Sequence, residues 1–167
     1  MRIGSDRFSV GEHVFGTWFP EGAARVRGHR IGVILADMVA AEGEPARQAE
    51  SKAEWSWTME DPHDSGRRIL LWVELVKDRV VRIHARFVSR DRMDIDAAWR
   101  LVKEHLDRVH GAPEKQLGSL LKLTWKVTGE PHPTTISGCR FRQDDGLQTL
   151  DVVQSLADGA RLQVGGP

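Results

Sequence analysis

Tyrosine is absent from this chain, and cysteine occurs once, at Cys139. A single thiol excludes an intramolecular disulfide and every structural zinc site built on several cysteines. Long apolar runs are missing as well. The longest, Ile31 to Ala41, is broken by Asp37 and falls far short of the roughly 20 residues that span a bilayer. No basic start followed by an apolar stretch of the secretory type stands at the N-terminus. These absences lead us to expect a soluble, cytoplasmic protein with no membrane partner. Net charge is lacking too: 24 Lys and Arg balance 24 Asp and Glu, so no overall field draws the chain to nucleic acid or anionic lipid. The sequence contains no glycine-rich phosphate loop, no G-x-S-x-G, no H-E-x-x-H and no pair of histidines at i, i+4. An enzyme is therefore the less favoured class, and no cofactor is expected.

What is present suits one globular domain. The 167 residues are 40% apolar and 29% charged, enough for a single core. Residues 1 to 28, rich in glycine and aromatics, read as short extended pieces in front of the main body. Ile31, Ile34, Leu35, Met38 and Ala41 then recur at helical spacing, with Gly43 as the stop, although Gly32 leaves a strand open here. Residues 42 to 54 are polar and acidic, a loop by composition. From Trp55 the period becomes two: Trp55, Trp57 and Met59 share one face of a strand, and Ile69, Leu71, Val73 and Leu75 one face of the next. Val81, Ile83, Ala85 and Phe87 mark a third strand.

Lys77-Asp78-Arg79 reads as a three-residue hairpin loop, with Arg79 at the position where glycine is preferred. Coincident apolar faces then require paired residues to sum to 156, setting Val73 against Ile83, Trp72 against His84 and Glu74 against Arg82. Asp94 is the predicted N-cap of an amphipathic helix carrying Ile95, Ala98, Trp99, Val102, Leu106 and Val109, closed by Gly111. His105 and His110 fall on different sides of that helix. Leu121, Leu123, Trp125 and Val127 form a fourth strand. Residues 136 to 142 and a segment from about Leu147 read as a closing hairpin, with a short helix over 149 to 159 as the alternative.

The two halves share an order of helix, Trp-bearing strand, acid-Pro-His turn and hairpin. Trp57 and Trp125 are 68 apart, His63 and His132 are 69 apart, and Asp78 and Asp145 are 67 apart. The expected fold is therefore α+β: an antiparallel sheet of about six strands with two helices on one face, compatible with a tandem α-β-β-β duplication. In that reading the chain is one domain, 1 to 167, with an extension over 1 to 28, a first unit over 29 to 90 and a second over 94 to 167.

Three features could carry function. Asp61, His63 and Asp64, with Glu60, place three carboxylates and an imidazole in one turn, weak candidates for a divalent metal because the spacing fits no known loop. A solvated turn is the plainer reading. Cys139, beside Gly138, reads as a small residue turned inward by a bulge. The third feature is Trp72. Leu71 and Val73 point to the core, so Trp72 points the other way, together with Arg82, His84 and Arg86, and Lys122 and Lys126 would extend the patch. The alternative is a ring lying under an arginine or under the N-terminal segment. Charge is segregated around it. Residues 67 to 92 hold eight Lys and Arg against three acids, and residues 42 to 64 hold seven acids against two bases.

The expectation is a non-enzymatic, protein-binding module of chaperone-like, adaptor or immunity type, with homodimerisation also compatible. The rival is a small enzyme or ligand- or metal-binding domain using His84 or the Glu60 to Asp64 turn. Nucleic-acid binding by Arg82, Arg86, Arg90 and Arg92 ranks lower, since one exposed aromatic makes a poor stacking platform.

Overall fold

The computed structural model describes residues 7–58, 66–118 and 121–157. The chain runs α1 (Arg7–Trp18), α2 (Leu35–Glu42), β1 (Arg47–Ala49), β2 (Lys52–Thr58), β3 (Arg68–Val76), β4 (Arg79–Ser89), α3 (Arg92–His110), β5 (Glu114–Leu117), β6 (Leu121–Val127), β7 (Thr134–Arg142) and β8 (Gln148–Leu156). All eight strands join one antiparallel sheet in the order β1-β2-β3-β4-β8-β7-β6-β5. The class agrees with the sequence reading; the count of strands and helices is higher. Each half is a four-stranded meander, and the halves meet where β4 pairs with β8. The strands begin at residues 47, 52, 68 and 79 in one half and at 114, 121, 134 and 148 in the other, offsets of 66 to 69.

One sheet face is dry. Period-two alternation sends Leu71, Val73, Ile83, Ala85, Phe87, Trp125, Ile136 and Val152 to it, and they form one cluster with Val10, Val14 and Trp18 of α1 and Ile95, Val102 and Leu106 of α3. Burying each Val, Leu, Ile or Phe side chain among them stabilises the fold by roughly 1.5–3 kcal/mol.

Several local expectations change. Residues 7 to 18 form a helix rather than extended pieces. Val10, Val14 and Trp18 make a narrow stripe four residues apart, and Gly11 is there because α3 crosses close by: a Cβ on Gly11 would lie 3.0 Å from the Ala97 carbonyl carbon. The helix expected from Ile31 begins at Leu35 instead, with Ile34 bridged to Arg79. Residues 47 to 49, read as loop, are a short exposed edge strand. Asp91, not Asp94, caps α3, accepting a hydrogen bond from the Met93 amide at 2.9 Å. Asp94 is buried and accepts from Arg67 at 2.8 Å and from the Ser89 hydroxyl at 2.7 Å.

His105 and His110 do not diverge. Each Nε2 donates to a neighbouring backbone carbonyl, Ala23 and Ala24, at 2.7 Å, tying the segment after α1 to α3. The same segment is held by Gln154, which accepts from the Val26 amide and donates to the His29 carbonyl. Arg27 pairs with both oxygens of Glu42 at 2.7 Å. Burial raises the Glu42 carboxyl, but hydrogen bonds from His29 and Arg27 outweigh it and bring it down to about 2.

The β3–β4 hairpin keeps the predicted sum of 156 from Arg68↔Val88 to Glu74↔Arg82. Its turn differs. Lys77 and Asp78 alone form the loop, with φ of 50° and 63°, the primed type that suits the strand twist. A bulge between Glu74 and Leu75 restores the register, so that Val80 rather than Val81 enters the core. Neither loop residue is glycine. Lys77→Asn with Asp78→Gly should therefore raise stability by about 1 kcal/mol, read as a higher urea midpoint at unchanged slope; an unchanged or lower midpoint counts against the turn assignment.

Candidate functional site

The second sheet face carries the candidate site. The described helices and the segment between α1 and α2 pack on the opposite face, so Trp72 does not lie under the described part of the N-terminal segment. Trp72 and His84 are directly paired across β3 and β4, and their rings stack with centroids 3.8 Å apart. The Arg86 guanidinium and the Lys52 ammonium each lie 5.4 Å from the Trp72 ring centre. Trp72 is therefore half-buried by its own neighbours, with a cation to either side.

Asp151 on β8 organises this cluster, and the sequence reading missed it. Its register partner is Arg86, which donates from Nε at 2.9 Å and from Nη2 at 2.8 Å to the two carboxylate oxygens. His84 Nε2 lies 2.9 Å from Oδ2 of the same carboxylate. Asp151 is only 7% exposed although it stands on the open face, because these two side chains cover it. Burial pushes its carboxyl up, yet the hydrogen bonds and charges of His84 and Arg86 prevail and hold it below the usual carboxylate range. The Asp151 hydrogen bond raises Arg86 in turn. The signal in the sequence was an acid inside Thr149-Leu150-Asp151-Val152-Val153, where alternation puts Asp151 opposite Leu150 and Val152.

Arg82 continues the row along β4, half-exposed and 4.0 Å from Glu74. Lys122 and Lys126 share the face but stand on β6, separated from β4 by β8 and β7, so three strand spacings of about 4.8 Å keep them from the Trp72 cluster. Lys126 lies 4.0 Å from Glu114 on the edge strand β5. Trp72, Arg82, His84 and Arg86 are thus brought together, and the two lysines form a separate flank.

Cys139 is not turned inward. It faces Asp151 across β7 and β8 on the open side, where burial and the Asp151 charge push its thiol up. Gly138 faces the core, and no bulge separates the two. Asp61, His63, Asp64 and Glu60 lie outside the described residues. Among the described residues no group of three or more His, Cys, Asp or Glu is arranged to hold a metal ion. Nor is any helix among them long and apolar enough to cross a membrane.

The chemistry of the cluster is that of a preformed surface. Arg86 and His84 are fixed by one buried carboxylate, and they in turn fix the Trp72 ring. Compared with protein-family models, curated proteins and solved structures, the chain matches none.

Proposed function

We propose that this is a non-enzymatic protein-binding module that recognises its partner with the open sheet face centred on Trp72. The observation that supports it is the rigid Trp72–His84–Arg86–Asp151 cluster on a face with no described helix over it. Tryptophan and arginine held in one conformation lose little entropy when a partner arrives, which is why they dominate binding hot spots. By strand register Arg47, Lys52, Arg68, Arg82, Lys122 and Lys126 share this face with Glu54, Glu74 and Glu114. The partner therefore presents carboxylates around an apolar or aromatic contact. A cytoplasmic adaptor, chaperone-like or immunity role belongs to this reading, as does a chain built from two units joined across β4 and β8.

The test is a partner recovered on the immobilised protein from native lysate, purified, and titrated against wild type and Trp72→Ala. A central hot-spot tryptophan predicts a loss of 2 kcal/mol or more, roughly 30-fold in Kd, with the folded far-UV spectrum retained. Equal affinity would overturn the assignment of this face. A recovered second copy of the chain whose affinity falls with Trp72→Ala identifies the face as a dimer interface.

A further inference from the structure

A concavity lies on the helix-bearing side of the sheet, between the first turn of α3 and the ends of β6 to β8. It is a cleft of about 440 Å³ whose walls include Arg92, Asp96, Arg140 and Arg142, with Leu121 and Ile95 at its apolar side. That volume falls among small-molecule sites, which run roughly 300–1,000 Å³. Three guanidiniums share one carboxylate. Asp96 stands 2.6 Å from Arg140 and 3.8 Å from Arg92. Arg142 meets no carboxylate among the described residues, so the lining carries a surplus of two positive charges.

The apolar side is equally unfinished. Leu121 is 45% exposed, one of four large apolar side chains so placed among the described residues. Ile95, also in the lining, is almost wholly buried, whereas Phe141 shares the opposite sheet face with Cys139 and lies 5.3 Å from the Arg86 guanidinium. Arg140 lies over the Trp99 ring at 6.0 Å and pairs with Asp96, so two contacts hold its guanidinium at the wall while it stays open to solvent. An exposed apolar surface and uncompensated guanidiniums in one cleft are relieved together by a single ligand type: an oxyanion attached to an apolar body. Planar guanidiniums match carboxylate and phosphate oxygens in pairs, and Leu121 supplies apolar area for the remainder.

We propose that this cleft binds a small amphiphilic organic anion, its carboxylate or phosphate held by Arg140 and Arg142 and its apolar portion laid against Leu121. The site is separate from the Trp72 cluster, and its test does not depend on the protein-binding reading. Calorimetric titrations with octanoate, octyl phosphate and inorganic phosphate resolve the parts. Saturable one-to-one binding is expected for at least one of the octyl compounds, and the tighter of them identifies the head group. Inorganic phosphate alone should bind at least tenfold more weakly than octyl phosphate, because it has no apolar portion. Arg142→Ala and Leu121→Ser should each weaken binding roughly tenfold. Arg100→Ala, on an exposed part of α3 and paired with Glu104, should leave it unchanged, as should Trp72→Ala. No saturable heat with either octyl compound up to about 10 mM, undiminished binding in Arg142→Ala, or inorganic phosphate binding as tightly as octyl phosphate would each overturn the proposal.

Discussion

Asp151→Asn is expected to cost about 2–3 kcal/mol of folding stability at neutral pH, read as a lower urea midpoint at unchanged slope. The carboxylate accepts both Arg86 hydrogen bonds and faces His84, and it is almost fully buried, so an amide there leaves a largely covered guanidinium without its countercharge. Arg86 keeps about a quarter of its side chain in water, which holds the loss below that of a fully enclosed pair. Replacing both partners, Arg86→Leu with Asp151→Val, should recover most of it, since the uncompensated charge and not the pair itself carries the penalty.

The pH dependence has a definite sign. The folded carboxyl sits below its ordinary value of 3.8, so its contribution is complete well above that value and is lost as pH falls through the lowered one. The gap between wild type and Asp151→Asn should therefore narrow in acid. An Asn variant as stable as wild type, or a gap that persists once wild-type Asp151 is protonated, would refute the organising role. Binding through Trp72 should fall with Asp151→Asn as well, because the ring loses the fixed His84 against which it stacks.

The legibility of this molecule follows the strength of its periodicities. Strands β2, β3, β4 and β6 are half-buried, so alternation wrote them into the sequence, and the sum of 156 placed Trp72 on His84 correctly. Strand β1 has three exposed residues and no buried face, so nothing in its sequence marks it. Helix α1 was hidden for the opposite reason. Its glycines look like breakers, yet Gly11 is required by the closeness of α3, a tertiary contact no local pattern encodes. The hairpin loop was assigned one residue too long because bulge and turn compensate: an extra residue in β4 and a two-residue turn give the same register as a three-residue loop. At the site, Trp72, His84 and Arg86 were legible from alternation alone. Asp151 was not, because its role depends on β4 pairing with β8, and that pairing joins residues about 65 apart in the chain.

The same long-range logic makes Gly138→Ala the second large effect, at about 2–3 kcal/mol of lost stability. Gly138 stands on β7 facing α3, and a Cβ there would lie 2.5 Å from Trp99 Cζ3 and 2.9 Å from Cη2. Those distances are well inside contact, so the indole must move. It cannot swing freely, being 9% exposed and packed edge-on against the fully buried Trp125, with ring centres 6.1 Å apart. The glycine is thus a socket for the six-membered ring of the tryptophan, and its backbone freedom plays no part, since Gly138 lies in a regular strand. Trp99→Phe shortens the ring and empties the socket, so it should destabilise alone but relieve the alanine when the two are combined. A double-mutant cycle by urea denaturation should return a coupling of about 1 kcal/mol or more in the favourable direction. Additive single effects, or a Gly138→Ala loss under about 0.5 kcal/mol, would show that α3 sits farther from β7 than the geometry requires.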